Sequence, residues 1–462
     1  MASALAGAVL LWLPAYRFRI DAASCASWPG PGAGALYALA YAVAVALLTA
    51  AWLRAAALAW SLPRALVLGA VVHLVAMVGP PFASNDPLFY AAIGRAMAQH
   101  HASATTPLST VLPPADPLLA LLPPGWRAGT SPYGPLFNQL ARAIALVGGD
   151  DLTRQLRLYQ LINVALLVAT AALAGVALGA RAAVVVLFCP LAVVDGSVNP
   201  HNDALLALGT AAFALALARR REAAGALALV ATLAVKLSGA LLLAFDLLRL
   251  VLAPLAARLR LRLMVAVGAL IAVAAVAAIV VAQRLWPATT AFTALVGDPG
   301  EHHPHFTRSF EALPRALFTY VLQVPAASWS IGLVFRAAGA LWLLWCAVCA
   351  ARDSRPLRWA AIALFGYYLG LHAFLQSWYL LPLLPLATQL PTWAQRPMRV
   401  FVVCLTLYYA LSIPLDCDAR PWVIGVKELA EAALVILPAA FMLLGAWRRS
   451  ARACAETPRP AA

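Results

Sequence analysis

A chain of 462 residues that is 64% hydrophobic and only 11% charged, with a mean hydropathy of +0.85, has too much apolar surface for a water-soluble globule. A net charge of +15 would suit a nucleic-acid binder, but here the arginines sit between apolar runs and read as topology signals. Composition leaves an all-α polytopic membrane protein whose partner is the bilayer, and excludes nucleic acid.

A membrane-crossing helix takes about 20 apolar residues, and shorter runs pass when other helices surround them. On that basis about fourteen segments are expected: 2–16, 34–53, 65–80, 155–178, 181–197, 202–218, 222–235, 238–253, 263–283, 328–350, 358–374, 378–393, 399–415 and 424–447. Met1 to Tyr16 lacks the basic start and small-residue cleavage site of a signal peptide and reads as a short first span. Alternate loops carry Arg54 and Arg64, Arg181, Arg219-Arg220-Arg221, Arg258 to Arg262, Arg352 with Arg355 and Arg358, Arg396 with Arg399, and Arg448-Arg449. The positive-inside rule puts these loops and both termini in the cytoplasm, with Arg17 and Arg19 out of pattern. The outer side then holds a long loop over 82–153, a second over 284–327, and short connections at 198–201, 375–377 and 416–422.

The unusual polar residues collect on that outer side. Asp86 lies just outside the apolar run Leu66 to Met77, past Gly79-Pro80-Pro81, and a carboxylate at a membrane surface needs water or a partner. The spacing Asp86, Tyr90, Gly94 puts a carboxylate, a phenol and a gap on one helix face, with Arg95 next, free to bind an anion or close a salt bridge. A helix lying flat on the membrane is the plain explanation; the functional one makes Asp86 a general base. Tyr133 is held in the Ser131-Pro132-Tyr133-Gly134-Pro135 turn, where two prolines restrict the backbone and a glycine frees it.

In Asn199-Pro200-His201-Asn202-Asp203, helix capping accounts for one of the last two residues. His201, Asn202 and Asp203 together suit a hydroxyl-rich ligand, and one histidine with one aspartate is too few to claim a metal site. Lys236, one of two lysines in the chain, interrupts the run Leu227 to Phe245 and either snorkels to headgroups or meets a phosphate. His302, His303 and His305 lie in a Gly/Pro-containing loop without fixed ligand geometry. Gln376, Trp378 and Tyr379 are interfacial anchors or a stacking surface for a sugar or isoprenoid. Cys346 and Cys349 share a C-x-x-C spacing with no second pair, so packing explains them, while Cys25 and Cys417 both fall in outer loops.

Taken in order, Pro80-Pro81-Phe82, Asp86, Tyr90, Gly94, Ser131 to Pro135, His201 to Leu205 and Val235-Lys236 resemble the polyprenol-phosphate-mannose-dependent alpha-1,6-mannopyranosyltransferases of actinobacteria, members of the GT-C glycosyltransferase superfamily. A weaker echo runs from Trp378 to Pro385. The resemblance implies a GT-C-like bundle that passes a hexose, expected to be mannose, from a polyprenyl-phosphate carrier to a glycan or lipid acceptor outside the cytoplasmic membrane. No cofactor is expected beyond that donor, and a divalent metal stays open. The first outer loop would supply the catalytic carboxylate, which maps onto Asp86. Lys236 or Arg95 would face the phosphate, and His201, Asn202 and Asp203 the hydroxyls. The chain departs from the family pattern at Pro200, where glycine is common, and at His100 to Pro107, where an Asp-Pro-Tyr is frequent. The alternatives are a transporter or lipid flippase, for which no internal repeat is evident, and a GT-C enzyme placing another sugar on lipid A or protein.

Overall fold

The computed structural model describes residues 1–13, 31–253, 308–372, 374–415 and 421–456. The segment expected at 263–283, the three loop histidines, Cys25, Cys417, Arg17, Arg19 and the arginines at 258–262 lie outside the described residues.

Among the described residues, four helices are long and apolar enough to cross a membrane, with spans at Ala35–Ala57, Leu152–Leu178, Ser330–Arg352 and Val426–Ala446. A bent pair, Ala180–Phe188 and Ala192–Val198, meets at 68° and makes a fifth, broken crossing if the two helices form one span. Pro190 sits at that break, where a ring in place of an N–H cannot continue the hydrogen-bond ladder. The segment expected at 181–197 is bent, and its second half winds as a π-helix, Ala192–Val198. Three shorter apolar helices complete this half: α1 (Leu62–Ala76), α2 (Asp203–Ala218) and α3 (Glu222–Leu233).

Around Lys236 the chain breaks as its short apolar halves suggested. Lys236 is extended, between α3 and α4 (Ala240–Leu252). The segment expected at 378–393 is not an α-helix but a 3-10 run, Ser377–Gln389, with Pro382 and Pro385 inside it. Prolines three apart each remove a backbone donor, which the tighter spiral tolerates in a buried stretch. Leu39, Val67, Leu227, Val251, Val334 and Phe441 stay exposed on the outside of the bundle, the surface expected of a protein solvated by acyl chains.

The region 82–153 is a packed layer rather than a loose loop. Its helices α5 (Asp86–Gln99) and α6 (Pro135–Gly148) close around Phe89, Tyr90, Ile93, Leu118, Tyr133 and Phe137. Tyr159, Leu206 and Val235 extend that core into the membrane helices and fix the layer to the bundle.

Candidate active site

Asp86 opens α5, and three sets of backbone ties hold it in place. The Asn199 side-chain oxygen accepts from the backbone N–H of Phe82 and of Ala83, both at 2.9 Å. Gln160 donates to Gly79 and Val198 carbonyls, both at 2.9 Å, and Arg157 binds the Val78 carbonyl at 2.6 Å. The approach to Asp86 and the turn before His201 are thus clamped to one long helix. On the other side, the Gly134 and Leu136 N–H groups donate to Val235 and Ala234 carbonyls at 2.8 and 2.9 Å. That pairing carries Tyr133 to the backbone just before Lys236.

These ties converge on one pocket. Tyr90 donates to Asp86 Oδ2 at 3.3 Å, and its ring meets Tyr133 edge-on at 5.2 Å between centroids. His201 stacks on Trp378 with centroids 3.7 Å apart and places Nε2 3.8 Å from Asp86 Oδ2. Its Nδ1 faces the carbonyls of Asn199 at 2.7 Å and Asp195 at 3.0 Å, so the ring proton sits there and Nε2 accepts from the Ser84 hydroxyl at 3.1 Å. Lys236 Nζ binds Asp203 Oδ2 at 2.9 Å and stands 4.1 Å from the centroid of Tyr379.

Burial lifts the Asp86 carboxyl from 3.8 to about 6, against the pull of Lys236 and the Tyr90 hydrogen bond and with the help of Asp203. Burial pushes the His201 imidazole down to about 3, so it is neutral beside Asp86 and the two form no ion pair. Around this centre, hydrogen-bonding capacity is left over. Both side-chain atoms of Asn202, Oδ1 of Asp203 and Oδ1 of Asn85 are buried without a partner. Asn202 stands at the N-cap of α2 but makes no side-chain capping hydrogen bond, so capping does not use up its amide. A carboxylate near its titration point, an ammonium, unspent amide and carboxylate groups and a wall of aromatic rings are the parts for moving a proton while holding a polyhydroxylated, anionic molecule.

Nine of the eleven residues singled out in the sequence meet here: Asp86, Tyr90, Tyr133, His201, Asn202, Asp203, Lys236, Trp378 and Tyr379. Two do not. Arg95 lies about 13 Å further along α5 at the usual helical rise, in a salt bridge to Asp116 at 3.2 Å, with the Asp150 carbonyl also at 3.2 Å. Gln376 accepts from Arg308 at 2.6 Å, and Arg308 in turn binds Glu431 at 2.6 Å. Among the described residues no cluster of three His, Cys, Asp or Glu is placed to hold a metal ion. Sequence reasoning missed Ser84, Asn85, Asn199 and Asp195; Asp195 had a signal, a lone carboxylate inside an apolar run.

No curated protein and no solved structure matches the chain. One family model does, that of the alpha-(1->6)-mannopyranosyltransferase N-terminal domain, over residues 1–254. The matched stretch contains Asp86, Tyr133, His201, Asp203 and Lys236, and it takes the place of the transporter alternative with a glycosyltransferase. With more than half its length matched, and with seven of the nine gathered residues inside the match, the chain belongs to the alpha-(1->6)-mannopyranosyltransferase family and is a membrane mannosyltransferase.

Proposed function

We propose that the protein moves mannose from a polyprenyl-phosphate carrier to a hydroxyl of a glycan or lipid acceptor on the extracytoplasmic face of the cytoplasmic membrane, with Asp86 as general base. The observation that carries this reading is the placing of a buried, partly protonatable carboxylate among unpartnered Asn202, Asp203 and Asn85 atoms, with Lys236 close by. In the step, Asp86 takes the proton of the acceptor hydroxyl and the acceptor oxygen bonds to the anomeric carbon. The bond from that carbon to the phosphate oxygen breaks, the phosphate keeps the electron pair, and the configuration inverts. Lys236 meets the charge growing on the phosphate, which competes with Asp203 for the ammonium. The arginine distribution supports a many-pass path of about fourteen segments with both termini cytoplasmic and the pocket outside.

Asp86→Asn keeps the shape and removes the base, so transfer of labelled mannose from polyprenyl-phosphate mannose is expected to drop about 10²–10⁴-fold with insertion intact. Near-normal turnover in that variant removes Asp86 from the chemistry, and turnover with a water-soluble nucleotide sugar alone removes the lipid carrier.

A further inference from the structure

A buried carboxylate in an apolar segment costs several kcal/mol or more unless it is compensated, so packing does not explain why Asp195 stands fully buried in the broken crossing. Its surroundings show what it is attached to. Tyr409 donates to Asp195 Oδ1 at 2.9 Å. Having given its proton to Asp195, the Tyr409 oxygen accepts from Ser377 at 3.0 Å. Ser377 begins the 3-10 run and is followed by Trp378, the residue stacked on His201. On its backbone side, Asp195 offers the carbonyl that His201 Nδ1 faces at 3.0 Å. One residue therefore reaches both members of the His201–Trp378 stack, one through its carbonyl and the other through Tyr409 and Ser377.

The π-helical turn is what makes this double reach geometrically available. A π-helix closes i to i+5, and here the Asn199 N–H reaches back to the Val194 carbonyl at 2.8 Å. The Asp195 carbonyl is left free of a continuing helix and turns to the His201 backbone N–H, at 3.3 Å, and to its ring. Asn163 secures the same turn from the long helix, donating to the Gly196 and His201 carbonyls at 3.0 and 2.8 Å. We propose that Asp195 is a positioning residue, a buried hub that sets the His201 and Trp378 rings against each other and so fixes the wall of the Asp86 pocket. The inference rests on reading that pocket as the site of transfer. It also explains why chain segments nearly two hundred residues apart must meet: residue 195 belongs to the family-matched half and residues 377, 378 and 409 to the other.

The test is a cycle in full-length protein, with kcat/KM for mannose transfer as the readout. Asp195→Ala is expected to lose about 10–100-fold through misplacement of the wall. Asp195→Asn still offers an acceptor to Tyr409 and is expected to recover most of that loss. Combined with Trp378→Ala, Asp195→Ala should add little further loss, because its side chain acts through the ring that is already gone. Tyr409→Phe serves the same cycle if Asp195→Ala does not fold. Losses that multiply, an Asn variant no better than Ala, or a folded Asp195→Ala at the wild-type rate each overturn the inference. Asp86→Asn measured alongside separates the two claims: if it is active, the reading of the pocket falls, and if it is dead while Asp195→Ala is normal, only the positioning role falls.

Discussion

As the proposed general base, Asp86 combines two demands that pull against each other. A base must be ionised to accept a proton, while its burial favours the neutral acid and raises the titration point from 3.8 to about 6. The rate follows the ionised form, so kcat/KM is expected to rise about tenfold per pH unit up to about 6 and level off above it, a limb that Asp86→Asn abolishes. Stability runs the other way. With the folded value raised, the group's contribution is fully present below 3.8 and is lost as the pH climbs through about 6. Above that point the carboxylate is a net cost, so Asp86→Asn should unfold at a higher temperature than the wild type at pH 7.5, by ~1–3 kcal/mol of added stability. Unchanged or lowered thermal stability at pH 7.5, with an active enzyme titrating near 4, would refute the desolvated base.

At the scale of elements, the pocket depends on close backbone approaches that only glycine allows. A Cβ on Gly94 would come within 2.4 Å of the Ala141 carbonyl oxygen, where α5 crosses α6. One on Gly134 would fall 2.2 Å from the Ala234 carbonyl oxygen, next to Lys236. Both are backbone contacts without a flexible side chain to yield. Gly94→Ala is expected to cost ~1–3 kcal/mol by forcing the layer open, and Gly134→Ala to weaken donor binding as well, because it pushes Tyr133 away from the Lys236 segment. Thermal denaturation and donor KM measure the two effects; equal KM changes in both variants would deny Gly134 its special place. These two glycines also mark what the sequence made legible. Asp86, Tyr90 and Gly94 share a helix face by spacing alone, and Lys236 stands out as a charge in an apolar run. The broken crossing was not legible in the same way: 181–197 has the hydropathy of a straight span, and only Pro190 and Asp195 hint that it bends. Likewise the 3-10 run reads as a membrane segment by composition, since hydropathy is blind to how backbone donors are used. Arg95 and Gln376 were drawn into the site by proximity in sequence, whereas buried partners elsewhere, the acceptor Asp116 for Arg95 and the donor Arg308 for Gln376, decided where they went.

At the scale of the whole molecule, the question is which way the pocket faces. Helix α2 begins at Asp203, inside the pocket, and ends at Ala218, followed at once by Arg219, Arg220 and Arg221. Sixteen residues in that helix span about 24 Å at the usual rise per residue, most of the thickness of a hydrocarbon core, so the arginine triplet and the pocket lie at opposite ends of one element. At the ends of α3 and α4 away from Lys236, the exposed Glu222 and the buried Asp246 both pair with Arg249, which lies 2.7 Å from Asp246. Arginines in short loops favour the cytoplasm, and the proposed orientation, with Asp86 outward, rests on that rule. In a cysteine-free background, Ser109→Cys, exposed on the Asp86 layer, is therefore expected to react with a membrane-impermeant maleimide in intact cells, and Ala224→Cys, exposed beside the arginine triplet, only after the membrane is opened. The reverse pattern would put the pocket in the cytoplasm, where a water-soluble nucleotide sugar becomes the available donor. The lipid-carried sugar would then lose its main support, because the reason for a lipid carrier is that activated nucleotide sugars do not cross the bilayer to reach a site on its far side.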